Sequence, residues 1–173
     1  MGIGYCFSCP HCSYSVDLLL DVGLFYPRAY KETLEDAKNG KYGTEYKQFF
    51  IDNPDGAIGV DLVPYICRSC GSIETNNSLT LYKKQANTNY QPSSVPWSSC
   101  CKDTIDYVAP DELLSGFIPY MYYPHKCSRC EAKLEELTYQ EIINNFDENS
   151  NIRSFYCPDC KSQLIPNGEI LWD

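Results

Sequence analysis

The sequence predicts an α+β protein built from two small antiparallel modules, and three observations along its 173 residues lead to this fold class. Four separate Cys-x-x-Cys pairs occur, and Cys6 precedes the first of them at the same spacing. Short runs of apolar and β-prone residues flank the pairs, as expected where a strand enters or leaves a tight turn. A polar stretch from residue 85 to residue 106 follows the second pair, which predicts a linker between modules 1–84 and 107–173.

The four pairs contain eight of the eleven cysteines and have the spacing of metal ligands. Two such pairs place four thiolates around one tetrahedral zinc ion. We expect the first pair to join the second and the third to join the fourth, because an interleaved pairing would carry the polar linker through a compact core where its backbone groups lack partners. The predicted ligands are Cys9, Cys12, Cys67 and Cys70 in site 1, and Cys127, Cys130, Cys157 and Cys160 in site 2.

The strands of the first module are predicted around its two cysteine pairs. Tyr5–Phe7 leads into the first pair and residues 13–20 lead out of it. Ala57–Ile66 is the expected return strand to the second pair, and Gly71 directly after that pair permits a positive φ. Residues 78–82 alternate apolar and polar side chains, which predicts a half-buried edge strand.

Two helices are predicted between the first and second pairs, as an insertion into the first module. Pro27 at a first helical position and Gly40 after the end frame a helix over residues 28–39. Thr44 is a suitable cap for a second helix over residues 45–52, which strong turn residues then end.

The second module is predicted to contain short strands and one short helical insertion. Thr138 and Glu141 form a capping-box sequence that begins a helix ending near Phe146. Pro110–Leu114 suffices for one helical turn. The expected strands are 133–137, 163–165 and 169–172, with turns at 147–151 and 166–168. The aromatic stretch 117–123 leads into the third pair, and residues 153–156 return the chain to the fourth.

Composition limits the classes of function. The formal net charge of −9 disfavours nucleic acid as a partner, because phosphate binding needs clustered lysine and arginine. The sequence contains no phosphate-binding glycine loop and no nucleophile–base pairing that we can identify, so we expect no enzyme activity. Fifteen tyrosines, expected mainly in the core, also suit a protein-binding surface. The sequence therefore predicts a protein-interaction or scaffold module with structural metals.

The cysteine count also indicates the redox environment. A secreted disulfide scaffold needs an export signal and usually an even number of cysteines. The count here is odd, and the first residues have neither a basic start nor an apolar run. No stretch is apolar enough to span a membrane. We therefore expect a reducing, cytoplasmic setting in which metal ions hold the thiolates.

The cysteine pairs, each flanked by short β runs, resemble those of zinc-ribbon proteins, and Cys67-Arg-Ser-Cys-Gly71 resembles a rubredoxin-type knuckle. The wider sequence is similar to a group of uncharacterised bacterial double zinc-ribbon proteins: it has Tyr-Pro before the first helix, a second Cys-x-x-Cys-Gly and a final Leu-Trp-Asp. This resemblance implies two zinc ribbons, each with a helical insertion. It implies no activity.

Two other functions stay open from the sequence. Rubredoxin-like knuckles also hold iron, so the protein could be an electron-transfer protein. A nucleic-acid-binding ribbon would need a basic patch, for which the sequence offers Arg28, Lys31, Lys38, Lys41, Arg68, Lys126 and Arg129.

Three cysteines and both histidines lie outside the predicted ligand sets. Cys6 is expected to be a small core residue, with the alternative that it replaces Cys12 as a ligand. Cys100 and Cys101 are adjacent and form a possible redox pair, although inert thiols are the simpler interpretation. His11 and His125 are expected to be polar surface residues.

Overall fold

A computed structural model describes residues 2–86, 91–96, 104–146 and 155–172. It confirms an α+β protein with small antiparallel sheets. In chain order the elements are β1 (Gly2–Ser8), β2 (Ser15–Leu20), α1 (Tyr26–Asn39), α2 (Thr44–Asp52), β3 (Ala57–Ile58), β4 (Leu62–Ile66), β5 (Ile73–Asn77), β6 (Leu81–Lys84), β7 (Ser93–Pro96), β8 (Thr104–Tyr107), α3 (Pro110–Gly116), β9 (Phe117–Met121), β10 (Glu135–Glu136), α4 (Tyr139–Phe146) and β11 (Ile165–Trp172). None of the helices in the described residues is long and apolar enough to cross a membrane.

The chain divides into two compact units that differ from the predicted modules. Unit 1 consists of residues 1–23, 62–76 and 124–173, and unit 2 consists of residues 24–61 and 77–123. Unit 1 therefore contains all four cysteine pairs. Unit 2 contains the two chain segments that lie between the first and second pairs and between the second and third pairs.

The first sheet of unit 1 has the order β11-β1-β2, with both pairings antiparallel. Its register runs from Gly2 opposite Trp172 to Ser8 opposite Ile165. The glycine at position 2 makes room for its partner, since a Cβ atom there would lie 2.3 Å from the Trp172 ring. The indole N–H of Trp172 donates to the Ile3 carbonyl at 3.2 Å. This pairing joins segments that are more than 150 residues apart in sequence.

The predicted turn at residues 166–168 is a β-bulge inside β11. The register shifts between Cys6 opposite Gly168 and Phe7 opposite Pro166, so Asn167 is the extra residue. Gly168 has φ 143°, which explains why a turn-forming sequence is present here. β11 therefore runs without interruption through this sequence from Ile165 to Trp172 and contains the predicted strand 169–172. Of the predicted strand 163–165 only Ile165 belongs to it, and Gln163 forms an isolated bridge with Tyr156.

A second sheet of unit 1 has the order β10-β4-β5. The second cysteine pair lies between β4 and β5, and the third pair precedes β10. Glu135 and Glu136 on β10 lie opposite Ile66 and Tyr65 on β4. One buried cluster lies around Phe7 and Phe155, whose rings meet edge to face with centroids 5.2 Å apart. A smaller cluster contains Tyr65, Cys67, Cys127 and Leu134. Cysteines thus form part of both cores.

Unit 2 combines helices α1 to α3, the sheet β3-β6-β9 and the hairpin β7-β8. The prediction for α1 is confirmed, since Pro27 lies in its first turn and Gly40 ends it with φ 87°. The buried Tyr46 of α2 donates its hydroxyl to the Leu79 carbonyl at 2.7 Å. The hairpin occupies part of the predicted 85–106 linker, and its second strand continues one residue beyond it to Tyr107. The β6 strand begins three residues later than predicted, and the predicted turn at 147–151 lies outside the described residues.

The capping box predicted at the start of α4 is present. The Glu141 N–H donates to the Thr138 hydroxyl at 3.2 Å, and the Thr138 N–H donates to the Glu141 carboxylate at 2.9 Å. The Thr138 N–H, the Thr138 hydroxyl and Arg68 lower the pKa of Glu141. These hydrogen bonds fix the start of a helix whose Ile142 is fully buried in unit 1.

We predict that Thr138→Ala lowers the free energy of unfolding by about 1 kcal/mol, because α4 loses its side-chain cap. Urea denaturation of the metal-loaded protein followed by circular dichroism measures the change. Gln140→Ala, at an exposed position in the same turn, is the control. Equal effects of the two substitutions would show that the cap contributes nothing specific.

Candidate metal centre

The four Cys-x-x-Cys turns share one backbone geometry, and we call each turn a knuckle. In every knuckle the N–H of the first cysteine donates to the carbonyl of the residue five positions later, at 2.7–2.9 Å; the acceptors are Tyr14, Ser72, Ala132 and Ser162. In knuckles 2 to 4 the residue after the second cysteine also donates its N–H to the first cysteine's carbonyl, at 2.8–3.0 Å. Such a turn directs both thiols to the same side.

Positive φ angles accompany this geometry in three knuckles. Gly71 has φ 84°, as the sequence predicts, whereas Glu131 and Lys161 at the equivalent positions have φ 60° and 63°. Residues with a Cβ rarely adopt this conformation and pay about 1–2 kcal/mol for it. Neither Glu131 nor Lys161 is a residue type that predicts a positive φ, and only their place directly after a cysteine pair, equivalent to that of Gly71, could have indicated it.

Backbone N–H groups stabilise negative charge on the first sulfur of the knuckles. His11, Arg129 and Asp159 each donate their N–H to the preceding first cysteine's Sγ at 3.4 Å. Burial opposes ionisation of Cys67, but hydrogen bonds from the Cys70 and Ser69 N–H groups lower the pKa of its thiol to about 7. These hydrogen bonds favour the thiolate, which is the form that binds metal.

The eight sulfur atoms form two groups, and in each group the four Sγ atoms lie within 4.8 Å of one another. Cluster A contains Cys9, Cys12, Cys157 and Cys160, and cluster B contains Cys67, Cys70, Cys127 and Cys130. The close Sγ–Sγ distances are 3.3–3.9 Å. Four sulfurs at about 2.3 Å from a tetrahedral zinc ion would be about 3.8 Å apart. The two clusters therefore fit divalent metal ions, and the distances exclude disulfides within them, whose S–S bond is about 2.05 Å.

A bound cation would also balance the negative charge of the thiolates in each cluster. Burial raises the pKa of Cys127 to about 12, whereas hydrogen bonds from the side chain and backbone of Ser162 lower the pKa of Cys160 to about 6. Four neighbouring sulfurs cannot all carry a negative charge without a compensating positive one. A divalent metal ion supplies that charge and replaces the protons.

The predicted pairing of the cysteine pairs is wrong, although all eight cysteines come together in groups of four. The first pair joins the fourth and the second joins the third, instead of first with second and third with fourth. The polar linker disfavours an interleaved arrangement, but it does not disfavour a nested one. In the nested arrangement the linker lies outside the unit that contains the cysteine pairs, because residues 77–123 belong to unit 2.

Antiparallel strand pairing explains the nested arrangement. Cys9 directly follows β1 and Cys160 precedes β11, so the pairing of these strands brings the two knuckles to the same end of the sheet. Cys67 follows β4 and Cys130 precedes β10 in the same way. Each cluster is therefore built from one knuckle after a strand and one knuckle before its antiparallel partner.

The two cysteines of each knuckle differ in burial. The first ones, Cys9, Cys67, Cys127 and Cys157, are buried, while the second ones are exposed or half-buried. The buried sulfurs contact apolar core residues of unit 1, and the outer sulfurs close the clusters from the solvent side. Each cluster therefore lies at the boundary between the buried core of unit 1 and solvent.

Polar side chains connect the two clusters within unit 1. Arg129, inside knuckle 3 of cluster B, donates to the carboxylate of Asp159, inside knuckle 4 of cluster A, at 2.6 Å. The Lys161 ammonium donates to the Cys70 carbonyl of cluster B at 3.0 Å and to the Pro158 carbonyl at 3.1 Å. Lys161 carries no sequence signal for this role, because its contact with Cys70 arises only where the second and fourth knuckles lie close together.

The remaining candidate residues lie outside the clusters. Cys6 is half-buried on β1, where a hydrogen bond with Asp17 and burial raise the pKa of its thiol, and it does not replace Cys12. His11 is exposed as predicted. His125 is buried, contrary to prediction, with its ring 4.7 Å from that of Tyr65. Cys100 and Cys101 lie outside the described residues.

Comparisons with known proteins gave no match: no protein-family model, no curated protein and no solved structure matches this chain. The two four-cysteine clusters are consistent with zinc-ribbon-like knuckles, and this local likeness rests on the geometry described above.

Paired substitutions distinguish the nested arrangement from the sequential one. We predict that Cys12→Ser with Cys160→Ser leaves one metal ion per chain, because both changes fall in cluster A and cluster B stays intact. Cys12→Ser with Cys70→Ser should disrupt both clusters. Native mass spectrometry counts the bound ions. A sequential pairing gives the reverse result, with one intact site only in the second variant.

The positive φ at Gly71 gives a second prediction. Gly71→Ala should lower the free energy of unfolding by about 1–2 kcal/mol, since the new Cβ makes the left-handed conformation unfavourable while its nearest neighbour stays at 3.6 Å. Chemical denaturation of the metal-loaded protein measures this change, and the exposed Ser69→Ala in the same knuckle is the control. An unchanged stability would mean that the knuckle relaxes to another backbone conformation.

Proposed function

We propose that the protein is a cytoplasmic, non-catalytic interaction module that two structural zinc ions hold in shape. The observation that carries this proposal is the membership of cysteine sulfurs in the buried cores of unit 1. Four thiolates complete the coordination of a tetrahedral zinc ion and leave no open position for a water molecule or substrate. The proposed zinc ions therefore contribute folding free energy instead of Lewis-acid chemistry.

The expected energetic effect of zinc is large. Structural zinc sites contribute roughly 10–16 kcal/mol of apparent binding free energy at neutral pH. The buried residues beside cluster B are Tyr65, Leu134 and two of its cysteines. This small core buries far less apolar surface than an ordinary domain core does. This part of unit 1 would depend on its metal ion.

The distribution of cations supports a protein partner over nucleic acid. The seven cations of the conceivable basic patch divide between the units, with four in unit 2 and three in unit 1. Four of them form ion pairs with carboxylates, and these are Arg28, Lys41, Arg68 and Arg129. Paired cations offer less positive potential to phosphates.

Exposed apolar side chains also support a protein partner. Leu114 is 82% exposed, Leu24 72%, Tyr122 70% and Leu171 69%. Single exposed apolar side chains are ordinary on a protein surface, but Leu24 adjoins Phe25, which is 66% exposed, and tyrosine is enriched at protein interfaces. These exposed groups occur on both units, so each unit offers surface to a partner.

We predict two zinc ions per chain, measured by comparing the mass of the protein under native and denaturing conditions. Protein produced in iron-sufficient cells tests the rubredoxin-like alternative. Iron–thiolate sites absorb visible light, whereas zinc sites are colourless, so a coloured protein with iron at the clusters would contradict the zinc assignment. Removal of the metal by a strong chelator should unfold the cores that contain the cysteines, visible as lost amide-exchange protection at β1 and β4.

The interaction role is tested with the zinc-loaded protein and the chelated protein as parallel baits in nuclease-treated native cytosol. We expect specific proteins to be retained only by the zinc-loaded form, because their binding surface requires a folded unit 1. Retention that is unchanged after zinc removal and unfolding would contradict the proposal. Salt-dependent binding to nucleic acid at low ionic strength would support the rival function instead.

A further inference from the structure

Unit 2 contains a cleft of about 600 Å³ whose walls are chemically different. One wall is the face of α2 that carries Glu45, Gln48 and Asp52, spaced by three and four residues and therefore aligned along the helix. The other wall belongs to β6 and β9 and presents Lys83 and Tyr120. Phe49 of α2 also lines the cleft and is buried.

The helical wall is acidic. Gln48 donates its amide N–H to the Asp52 carboxylate at 2.9 Å, which holds that carboxylate in place. Within the described part of the chain, the ion pairs use other carboxylates, and neither Glu45 nor Asp52 takes part in one. Both carboxylates are thus available to a cation that enters the cleft.

The strand wall presents an aromatic ring through a β-bulge. The register of β6 and β9 shifts between Leu81 opposite Met121 and Tyr82 opposite Pro119, which leaves Tyr120 as the extra residue. A bulge redirects the side chain of its extra residue and is common beside binding sites. The Tyr120 ring stacks on Phe49 with centroids 5.2 Å apart and stays 54% exposed.

A cation from the protein itself already contacts this ring. The Lys83 ammonium lies 3.9 Å from the Tyr120 ring centroid, which is a close cation–π contact. The cleft therefore attracts positive charge, and Lys83 occupies the position that a ligand cation would take. Displacement of Lys83 returns its ammonium to water.

A guanidinium group fits these walls better than other cations do. It is planar, stacks on a single aromatic face and forms hydrogen bonds with carboxylates in a fixed geometry. A methylated ammonium group needs a cage of several rings, and Tyr120 supplies one exposed ring. A nucleotide base could stack on Tyr120, but its phosphate would meet the negative charge of Glu45 and Asp52.

We propose that this cleft binds an arginine side chain from a basic segment of a partner protein. The guanidinium stacks on Tyr120 and forms ion pairs with Glu45 and Asp52, while Lys83 moves aside. The net charge of −9 gives the whole chain the sign that attracts such a segment. The inference rests on the proposed protein-binding function and assigns the partner's chemistry.

The test measures binding of a fluorescein-labelled peptide, Arg-Gly-Arg-Gly-Arg, to the zinc-loaded full chain by fluorescence anisotropy at low salt. The same peptide with citrulline in place of arginine keeps the shape and removes the charge. We expect the arginine peptide to bind and the citrulline peptide to bind at least about tenfold more weakly. Equal binding of the two peptides would overturn the proposal.

Substitutions of the residues that line the cleft test whether the arginine peptide binds there. Glu45→Gln with Asp52→Asn should weaken binding about tenfold or more. The matched control, Glu35→Gln with Asp111→Asn, makes the same charge change at exposed positions outside the cleft and should have a much smaller effect. Tyr120→Leu should weaken binding about threefold to tenfold, whereas Tyr120→Phe keeps the aromatic face and the affinity.

Lys83→Met is the most discriminating substitution because it is expected to increase the affinity for the arginine peptide. The substitution removes the internal competitor and keeps an unbranched side chain, so binding of the arginine peptide should tighten about threefold. Weaker or unchanged binding would contradict the proposed competition. Single-stranded DNA as a second probe should not bind at the cleft, and its binding there would replace the arginine assignment.

The outcomes separate this inference from the proposed function. All these positions except Lys83 are exposed, so thermal melting and metal content should match those of the unsubstituted protein. A variant set with two bound metal ions and no arginine-dependent binding overturns the cleft assignment alone. Failure of the protein to hold structural metal, by contrast, overturns the proposed function.

Discussion

Two antiparallel strand pairings decide where the eight sulfur atoms meet. The pairing of β1 with β11 and the pairing of β4 with β10 each place a knuckle that follows one strand beside a knuckle that precedes the other. The metal clusters and the sheets consequently support each other. A register slip in either pairing would move a knuckle away from its partner and turn its flanking side chains to the other face.

The nested arrangement costs little in chain entropy. The nested loops run over 145 residues from Cys12 to Cys157 and over 57 residues from Cys70 to Cys127, whereas the predicted sites would close loops of 55 and 27 residues. Closure entropy grows only with the logarithm of loop length, so the two nested loops together cost about 1.5 kcal/mol more than the two predicted ones. Strand pairing and core packing therefore outweigh sequence proximity.

The two chain segments between the knuckles are long enough to form a separate compact unit, unit 2. Its two segments lie between knuckles, and they form a core of their own from α1, α2 and a three-stranded sheet. A unit of this size gains stability from metal sites, which the four-cysteine clusters of unit 1 could provide. The cleft beside α2 belongs to the inserted segments, which contain no Cys-x-x-Cys pair.

The sequence by itself determined the local features of the protein. Residues such as Pro27, Gly40 and Thr138 act on the backbone within a few positions, so the limits of α1, the capping box of α4 and the eight cysteines that form the clusters could be read directly. Thr44 is not a cap, since α2 begins at this residue and its N-cap is Gly43. Tertiary structure alone decided which knuckles share a cluster, that Asn167 is a bulge residue instead of a turn, and that Tyr120 faces a cleft. These depend on which strands pair across more than 30 residues of sequence, and a Cys-x-x-Cys pair keeps its first-cysteine hydrogen bond whichever partner it joins.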